Sequence, residues 1–403
     1  MTDENPASTA DATAEKVTGN GAQGEKEAPV TEGVRSGSVA FQADPPKGQR
    51  RRFRLGSTVS KLLRFLGAMF LFILAIQLMK RGADAVAPRL QGTFPVDNGI
   101  STLGLGWLSA YLVLSGSPVA AAGLALFAAG ATTRMQTFTM LTGSRLGASF
   151  IVLLVGFIYA IRNRRRRESI GMGVLALSMT ALVYVPAMFL AYGLLKSGAL
   201  DGVNWHASAE LNGAIDAAWG PIVSVADRAL PGPLLFPLGL GVILASFKLL
   251  DLVLPQLDGE KHASARGHWL RNPWMMFGLG MLAALLTLSV SVALTILVPL
   301  ASKGYVRREE AIPYIAGANI TTLADTLVAA MILGNPVAVQ VVLAEAIAVA
   351  AVTVLLLALA YRPLVKGIMA LDNWIVARNR RLVAFVVILF LLPIALLFSG
   401  RLV

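Results

Sequence analysis

The chain has 403 residues and a formal net charge of +12; 56% of its residues are hydrophobic, only 14% are charged, and the mean hydropathy is +0.67. This composition excludes an ordinary soluble enzyme domain and indicates an all-α integral membrane protein in a lipid bilayer. Because the basic residues lie between long apolar segments, we attribute the charge to membrane orientation and expect no nucleic acid as a partner. The chain lacks cysteine, which excludes disulfides and thiol catalysis.

The first predicted element is a disordered cytoplasmic tail, residues 1–60, which has too few large apolar residues to fold. Arg50, Arg51, Arg52 and Arg54 form a basic cluster near its end. By the positive-inside rule this cluster places the amino terminus in the cytoplasm. We therefore expect a multi-pass protein of the inner (plasma) membrane of a bacterium.

Two transmembrane repeats are predicted next, at residues 62–196 and 234–361, with an extracytoplasmic loop at 197–233 between them. A cytoplasmic linker and a last transmembrane helix occupy residues 362–403. The apolar segments of both repeats end in clusters of basic residues, which fixes the predicted side of each loop.

Each repeat contains an apolar hairpin, at residues 103–130 in the first and at 274–302 in the second. The two segments share one register, in which Ser289 follows Ser115 by 174 positions (289 − 115). The same offset relates five further pairs: Ser117/Ser291, Gly104/Gly278, Gly106/Gly280, Gly130/Gly304 and Gly143/Gly317. Glycines and serines held in one register predict an internal duplication rather than a chance similarity.

The second hairpin begins beside Arg271 and ends beside Lys303, Arg307 and Arg308, so both of its ends belong on the cytoplasmic side. Each arm of about 12 residues spans ~18 Å, roughly half of the hydrocarbon layer, which predicts a re-entrant hairpin. The first hairpin is predicted to enter from the opposite side. The predicted fold is an inverted-repeat secondary transporter with two re-entrant helical hairpins and about seven full transmembrane helices.

The hairpin tips carry serine pairs, Ser115 and Ser117 in the first copy and Ser289 and Ser291 in the second. Their hydroxyls and the nearby carbonyls suit a Na⁺ ion, and the free N–H groups of the following helix suit an anion. The alternative is that small residues only allow close helix packing and that the serines bond to their own helices. The duplication of the pair favours a binding role.

A second polar group follows each hairpin, Asn319, Thr321 and Thr322 in the second copy and Ser144 and Arg145 in the first. An amide and hydroxyls at the start of a membrane helix predict a polar mouth that contacts the substrate. For Arg145 two alternatives stand equal: a fixed cation that attracts an anion, or a side chain that extends to the membrane interface.

Several charged residues fall inside apolar segments. Asp325 lies one turn beyond the second polar group and is expected to face the protein interior, the alternative being a residue that caps the helix start. Glu345 lies deep in the following helix, and Lys248 and Asp251 lie in an earlier one. The simplest interpretation of these three charges is ion pairing between helices.

The order of a serine tip, Pro-Leu-Ala-x-x-Gly and Gly-Ala-Asn-Ile-x-Thr resembles the type II sodium-phosphate cotransporter family, over roughly residues 62–361. In that family each repeat carries a Gln-Ser-Ser-Ser-Ala tip followed by Gly-Ala-Asn-Ile-Gly-Thr-Thr. The resemblance implies a divergent member, because Ser115 and Ser289 stand where the family has glutamine and Arg145 stands where it has asparagine. The resemblance implies that the tips and mouths bind phosphate and Na⁺. Its Na⁺ candidates are Ser289, Ser291, Asn319 and Thr322.

We therefore predict a secondary active transporter for sodium-coupled symport of inorganic phosphate or a similar anion by alternating access, with Na⁺ as coupling ion and no cofactor. The alternative is a relative without transport activity that acts as a membrane scaffold or sensor, because the tips have lost several ligands. An enzyme is not expected, since no nucleophile–base pair is visible and His206, His262 and His268 lie in predicted loops. A channel is disfavoured because no ring of selectivity ligands is repeated, and the sequence leaves a homo-oligomer open.

Overall fold

The computed structural model describes residues 54–90, 98–162, 166–205, 207–253 and 272–399. The described residues form helices joined by turns and contain no strand, as predicted for an all-α protein. The predicted tail lies outside the described residues as far as position 53. The three histidines and the basic loop that precedes the second hairpin lie outside them as well.

The described helices, in chain order, are α1 Arg54–Leu90, α2 Gly99–Val113, α3 Ser117–Ala128, α4 Arg134–Ala148, α5 Phe150–Arg162, α6 Arg166–Lys196, α7 Ala209–Ala229, α8 Leu235–Val253, α9 Pro273–Thr287, α10 Val290–Thr295, α11 Leu297–Ser302, α12 Arg308–Thr321, α13 Leu323–Ile332, α14 Pro336–Leu359, α15 Tyr361–Val376 and α16 Asn379–Phe398. A short 3₁₀ turn, Gly232–Leu234, leads into α8. The first helix thus begins at Arg54, inside the segment predicted as tail.

The described part of the chain contains 7 stretches that are long and apolar enough to cross a membrane, which confirms the predicted number. They are Val59–Pro88, Arg134–Arg162, Glu168–Lys196, Gly232–Leu252, Arg308–Ile332, Pro336–Leu359 and Asn379–Phe398. The second stretch is longer than predicted because α4 and α5 follow each other with an interruption only at Ser149. The third-to-last stretch, α12 with α13, is interrupted in the same way at Thr322.

The hairpin helices are too short to cross a membrane. Both α2 and α9 have 15 residues, which corresponds to about 22 Å of the ~30 Å hydrocarbon layer. After each of them the chain turns at a leucine in the left-handed region, Leu114 with φ 57° and Leu288 with φ 45°. A non-glycine residue pays roughly 1–2 kcal/mol for this conformation. Contacts elsewhere in the fold must therefore hold both turns.

The two hairpin segments share their backbone design. The helix α9 begins and ends 174 positions after α2, and the turn glycines Gly130 and Gly304 have φ of 72° and 76°. The close crossings are repeated as well. A Cβ on Gly106 would lie 2.1 Å from the Met140 carbonyl oxygen, and one on Gly280 would lie 1.9 Å from the equivalent oxygen of Tyr314. The orientation of the two copies relative to the membrane remains a prediction.

The helix α6 lies at the centre of the packing and contacts α4, α5, α12 and α14. The last helix, α16, packs on α2, where the hydroxyl of Tyr111 donates to the carbonyl oxygen of Leu389 at 3.1 Å. The rings of Tyr111 and Phe150 both pack against Phe390. The first hairpin is therefore held between the central helices and the last one.

Two further helices lie in segments that were predicted as loop and linker. The helix α7 occupies most of the predicted loop 197–233, and α15 occupies most of the predicted linker. Leu364, Ile368 and Ile375 are buried along one side of α15. Their spacing of four and seven residues makes an amphipathic helix that is too polar overall to count as a membrane span.

Candidate functional site

The side chain of Arg145 is buried at the end of α4, with only 3% of the residue exposed. Its Nη1 donates to the hydroxyl of Ser117 at 3.2 Å and to that of Thr322 at 2.9 Å, and its Nη2 donates to the hydroxyl of Thr326. The same Nη2 lies 3.8 Å from Oδ1 of Asp325. We call Ser117, Arg145, Thr322, Asp325 and Thr326 the arginine cluster.

The arginine cluster leaves two buried polar atoms without a protein partner among the described residues, Nε of Arg145 and Oδ2 of Asp325. The distance of 3.8 Å between Arg145 and Asp325 is too long for a hydrogen bond. The Oδ1 atom of Asp325 accepts instead from the Thr326 hydroxyl at 3.0 Å. A buried ion pair recovers its desolvation cost only when it is fully hydrogen-bonded, so this pair is held at a net cost.

The arginine cluster lies where two membrane helices are interrupted. Arg145 lies one turn before Ser149, at which α4 ends, and Thr322 separates α12 from α13. Ser117 is the first residue of α3, directly after the first hairpin tip. The cluster therefore joins the first hairpin to the interrupted helices that follow both hairpins, in the surroundings where non-helical backbone at membrane depth marks binding sites.

A second buried polar group surrounds Asn319, of which 2% is exposed. The side-chain amide of Asn319 donates to the hydroxyl of Thr180 at 3.1 Å. The backbone carbonyl oxygen of Asn319 accepts from the hydroxyl of Tyr184 at 2.8 Å. Thr180 also shares a hydrogen bond of 2.6 Å with Ser149. These hydrogen bonds connect the interruption at Ser149 and the end of α12 to the central helix α6.

The two hairpin tips contact each other through Ser291, whose hydroxyl donates to the carbonyl oxygen of Leu114 at 3.1 Å. Ser289 caps α10 by accepting from the backbone N–H of Val292 at 3.3 Å. Ser115 lies half-buried in the first turn and makes no hydrogen bond within the described part of the chain. The tips are therefore joined by one serine of the four.

The side chains of the remaining predicted site residues, Ser144 and Thr321, form hydrogen bonds within their own helix or with a neighbouring helix. The hydroxyl of Ser144 donates to the carbonyl oxygen of Leu141 at 2.7 Å, inside α4. The hydroxyl of Thr321 donates to the carbonyl oxygen of Met281 at 3.1 Å, which ties α12 to α9. For these two residues the observed contacts are those of helix packing.

The structure brings Ser117, Arg145, Thr322 and Asp325 into one cluster, as a common site requires. It also decides two alternatives: Arg145 points into the interior and not to the interface, and Asp325 is buried rather than capping an exposed helix start. The four Na⁺ candidates, Ser289, Ser291, Asn319 and Thr322, have separate hydrogen-bond partners among the described residues.

Sequence reasoning missed Thr180, Tyr184 and Thr326. The first two stand alone in an apolar helix, where a single hydroxyl gives no signal, whereas Thr326 adjoins the singled-out Asp325. The predicted ion pairs are wrong within the described residues. Neither carboxylate oxygen of Glu345 has a hydrogen-bond partner there, and Lys248 forms no ion pair with Asp251.

Comparison with known families bears on this arrangement. Residues 242–400 match the model of the Na⁺/Pi-cotransporter family. The similarity covers 159 of the 403 residues (400 − 242 + 1), less than half of the chain. The matched part contains the second hairpin, Asn319 and Asp325, whereas Ser117 and Arg145 lie before it. No curated protein and no solved structure matched the chain.

For residues 242–400 this match bears out the resemblance noted in the sequence. The matched family is a family of transporters. Together with the 7 apolar stretches the match supports a multi-pass membrane protein.

Proposed function

We propose that this protein is a secondary active transporter that moves inorganic phosphate, or a similar anion, together with Na⁺ by alternating access. The single observation that carries the proposal is the buried guanidinium of Arg145, surrounded by three hydroxyls and left with an unpartnered Nε. In a membrane such a charge is costly and is typical of a substrate pathway. The proposal includes a location in the inner (plasma) membrane with the amino terminus in the cytoplasm.

The donor set of the arginine cluster suits a tetrahedral oxyanion. A guanidinium offers five N–H donors in a planar fork, and the hydroxyls of Ser117, Thr322 and Thr326 are additional donors once the guanidinium turns towards the anion. Charge-assisted hydrogen bonds of this kind are about twice as strong as neutral ones. The carboxylate of Asp325 lies on the side where an anion would bind, so we expect the anion to displace it from Arg145.

Alternating access follows from the origin of the cluster residues. Ser117 and Arg145 come from the first copy, and Thr322 and Thr326 come from the second. If the two copies are inverted and their hairpins are re-entrant, a rocking motion of one copy against the other opens the cluster to each side in turn. The helices α2 and α9, each about 22 Å long, are too short to cross the ~30 Å hydrocarbon layer, which supports re-entrant hairpins.

For Na⁺ the hairpin tips supply the better ligands. The oxygen atoms of the Ser291 hydroxyl and the Leu114 carbonyl lie 3.1 Å apart, and both are hard oxygen ligands suited to a Na⁺ ion. Thr322 is less suitable, because its hydroxyl accepts from the positively charged Arg145. We therefore assign Na⁺ to the tips, with Ser289 and Ser291 as the residues to test, and we propose Asn319, which bonds to α6 and not to the tips, as a second Na⁺ ligand position.

The test is uptake of labelled phosphate into proteoliposomes with and without an inward Na⁺ gradient. Removing Arg145 alone would leave the Asp325 carboxylate buried without a counter-charge. The decisive variant is therefore the double substitution Arg145→Gln with Asp325→Asn, which removes both charges. Arg81→Gln is the matched control, since Arg81 forms an exposed ion pair of 2.7 Å with Asp227. Uptake driven by Na⁺ that only the double variant abolishes supports the proposal.

Ser291→Ala and Asn319→Ala test the Na⁺ assignment in the same assay. Each is expected to weaken the dependence of uptake on Na⁺ while phosphate binding persists. A correctly folded wild-type protein without uptake of phosphate or of a similar anion such as sulfate would contradict transport. It would favour the alternative of a membrane scaffold or sensor.

A further inference from the structure

Glu345 is a buried carboxyl group in the middle of a membrane-spanning helix. It lies about 14 Å along α14 from Pro336, and 1% of the residue is exposed. Neither Oε1 nor Oε2 has a hydrogen-bond partner among the described residues. The hydroxyl of Thr142 lies close enough to Glu345 to offer it one hydrogen bond. In this structure that hydroxyl donates instead to the Phe138 carbonyl at 3.1 Å.

Two titratable side chains of the helices packed against α14 interact electrostatically with Glu345, and a third, Asp325, lies 3.8 Å from the first of them, Arg145. Arg145 approaches from α4 within electrostatic range, and Tyr184 of α6 lies within range of Glu345, Arg145 and Asp325 together. Asp325 of α13 is the second carboxylate of this neighbourhood. The other helices on α14, which are α3, α12 and α15, add no charged group that acts on Glu345 in the described part of the chain.

The charges of this buried neighbourhood do not balance. One guanidinium faces two carboxyl groups, so full ionisation leaves one negative charge in a region of low polarity. A buried carboxylate without partners is costly, and a proton removes that cost. One proton on Glu345 makes the neighbourhood neutral.

We infer that Glu345 is a proton-binding site and that anion transport is coupled to one proton in addition to Na⁺. This inference rests on the proposed function. The proton passes from water on the loading side to the Glu345 carboxylate, and from Glu345 to water on the release side. No covalent bond other than this O–H bond forms or breaks.

Coupling follows from electrostatics. While Glu345 is ionised, its charge partly cancels the field of Arg145 and repels an incoming anion. Protonation removes this repulsion, so the site accepts one monovalent anion with one proton and its net charge does not change. Release of the anion leaves Arg145 available to Glu345, which favours loss of the proton. Binding of each species therefore strengthens binding of the other.

The test is phosphate accumulation in proteoliposomes driven by an inward proton gradient, with equal Na⁺ on both sides and the membrane potential clamped at zero. One coupled proton drives roughly tenfold accumulation for each pH unit of gradient, because one pH unit corresponds to about 1.4 kcal/mol. Glu345→Gln, which keeps the shape but cannot ionise, is expected to lose this accumulation completely. Asp251→Asn is the matched control, an acid in α8 outside this neighbourhood, and should keep it.

Two further measurements separate the possible failures. Exchange of labelled for unlabelled phosphate without any gradient tests transport alone. If wild-type protein exchanges phosphate but ignores the proton gradient, the inference is overturned and the proposed function stands. Infrared difference spectra across a pH titration test proton binding without substrate. A carboxyl band that titrates in the wild type and in Asp251→Asn but is missing in Glu345→Gln supports the proton site even if phosphate is the wrong anion. If the wild type shows no such band, the proton site is overturned.

Discussion

The two hairpin copies have the same backbone and different chemistry. Gly106 and Gly280 cross a neighbouring helix at equivalent points, and Leu114 and Leu288 make the same left-handed turn. At the position equivalent to Arg145, however, the second copy has Asn319, so the buried cation exists only once. The duplicated geometry therefore builds the scaffold, and the first copy alone carries the charge that we propose as the anion ligand.

The two copies also differ in what covers them. Gly104 lets α2 approach α16 so closely that a Cβ would lie 2.5 Å from the Pro393 carbonyl oxygen and the Leu397 nitrogen. A Cβ on the equivalent Gly278 of α9 would meet nothing within 4 Å among the described residues. The same glycine is therefore a packing requirement in one copy and dispensable for packing in the other.

The largest expected effect is at the buried charges. Arg145→Gln and Asp325→Asn should each lower the free energy of unfolding by about 3–5 kcal/mol, because each leaves the other charge buried and unpaired. The double variant should lose much less than the sum. At the equivalent position of the second copy, Asn319→Ala should cost only about 1 kcal/mol, the loss of one neutral hydrogen bond, because Thr180 keeps its hydrogen bond to Ser149. Unfolding by denaturing detergent from bicelles measures all four; additive single effects would contradict the pairing.

The glycine pair gives the next effect. Gly104→Ala should lower the free energy of unfolding by about 1–3 kcal/mol, because α2 and α16 must separate to admit the methyl group. Gly278→Ala should be neutral or stabilise the protein by up to about 1 kcal/mol, since alanine favours a helix over glycine. The same unfolding assay compares them. Equal losses in both variants would mean that α9 is covered in the same way as α2.

The next prediction concerns the pH dependence of stability, which should differ between the carboxylates paired with the arginines that begin α12 and α4. Arg308 pairs at 2.5 Å with the fully buried Asp372, whereas Arg134 pairs at 3.0 Å with the exposed Asp201. Burial raises the pKa of Asp372 to about 6, although Arg308 opposes the rise. Folded Asp372 thus binds its proton more tightly than the unfolded chain does, so stability should fall as the pH rises from about 4 to about 6.

Thermal unfolding of the purified protein as a function of pH checks this prediction. Asp372→Asn should remove the decline between these pH values, and the matched control Asp201→Asn should keep it. A decline that is unchanged in Asp372→Asn would assign it to another group.

The smallest effect concerns the tip serines. Ser289→Ala should cost about 1 kcal/mol, because it removes the hydroxyl that caps α10. The equivalent Ser115→Ala should change stability by less than about 0.5 kcal/mol, since the cap position of α3 is Gly116 and Ser115 bonds to nothing described. Equal costs, measured by the same detergent unfolding, would mean that Ser115 has a structural role that its surroundings do not indicate.

Hydropathy was enough to predict the seven spans, and the register of glycines and serines was enough to predict the repeated hairpin. Both signals depend on many residues and tolerate local exceptions. The partners of Arg145 were not predictable, because Ser117, Thr322 and Thr326 meet it only after two distant segments pack together. The sequence predicts a linker where α15 lies, because the apolar residues of that segment form one narrow stripe. The charge of Glu345 is evident from the sequence, but its lack of a partner is visible only in three dimensions.

We propose that the two copies enter the membrane from opposite sides and meet at Arg145. Because the chain has no cysteine, single cysteines can be introduced without background. The most direct measurement is labelling of Ala129→Cys and Lys303→Cys, which occupy equivalent positions at the open ends of the two hairpins, with a membrane-impermeant thiol reagent in intact cells. We expect the cysteine at position 129 to be labelled from outside the intact cell, and the cysteine at position 303 to be labelled only after the membrane is permeabilised. Labelling of both from the same side would contradict the inverted arrangement.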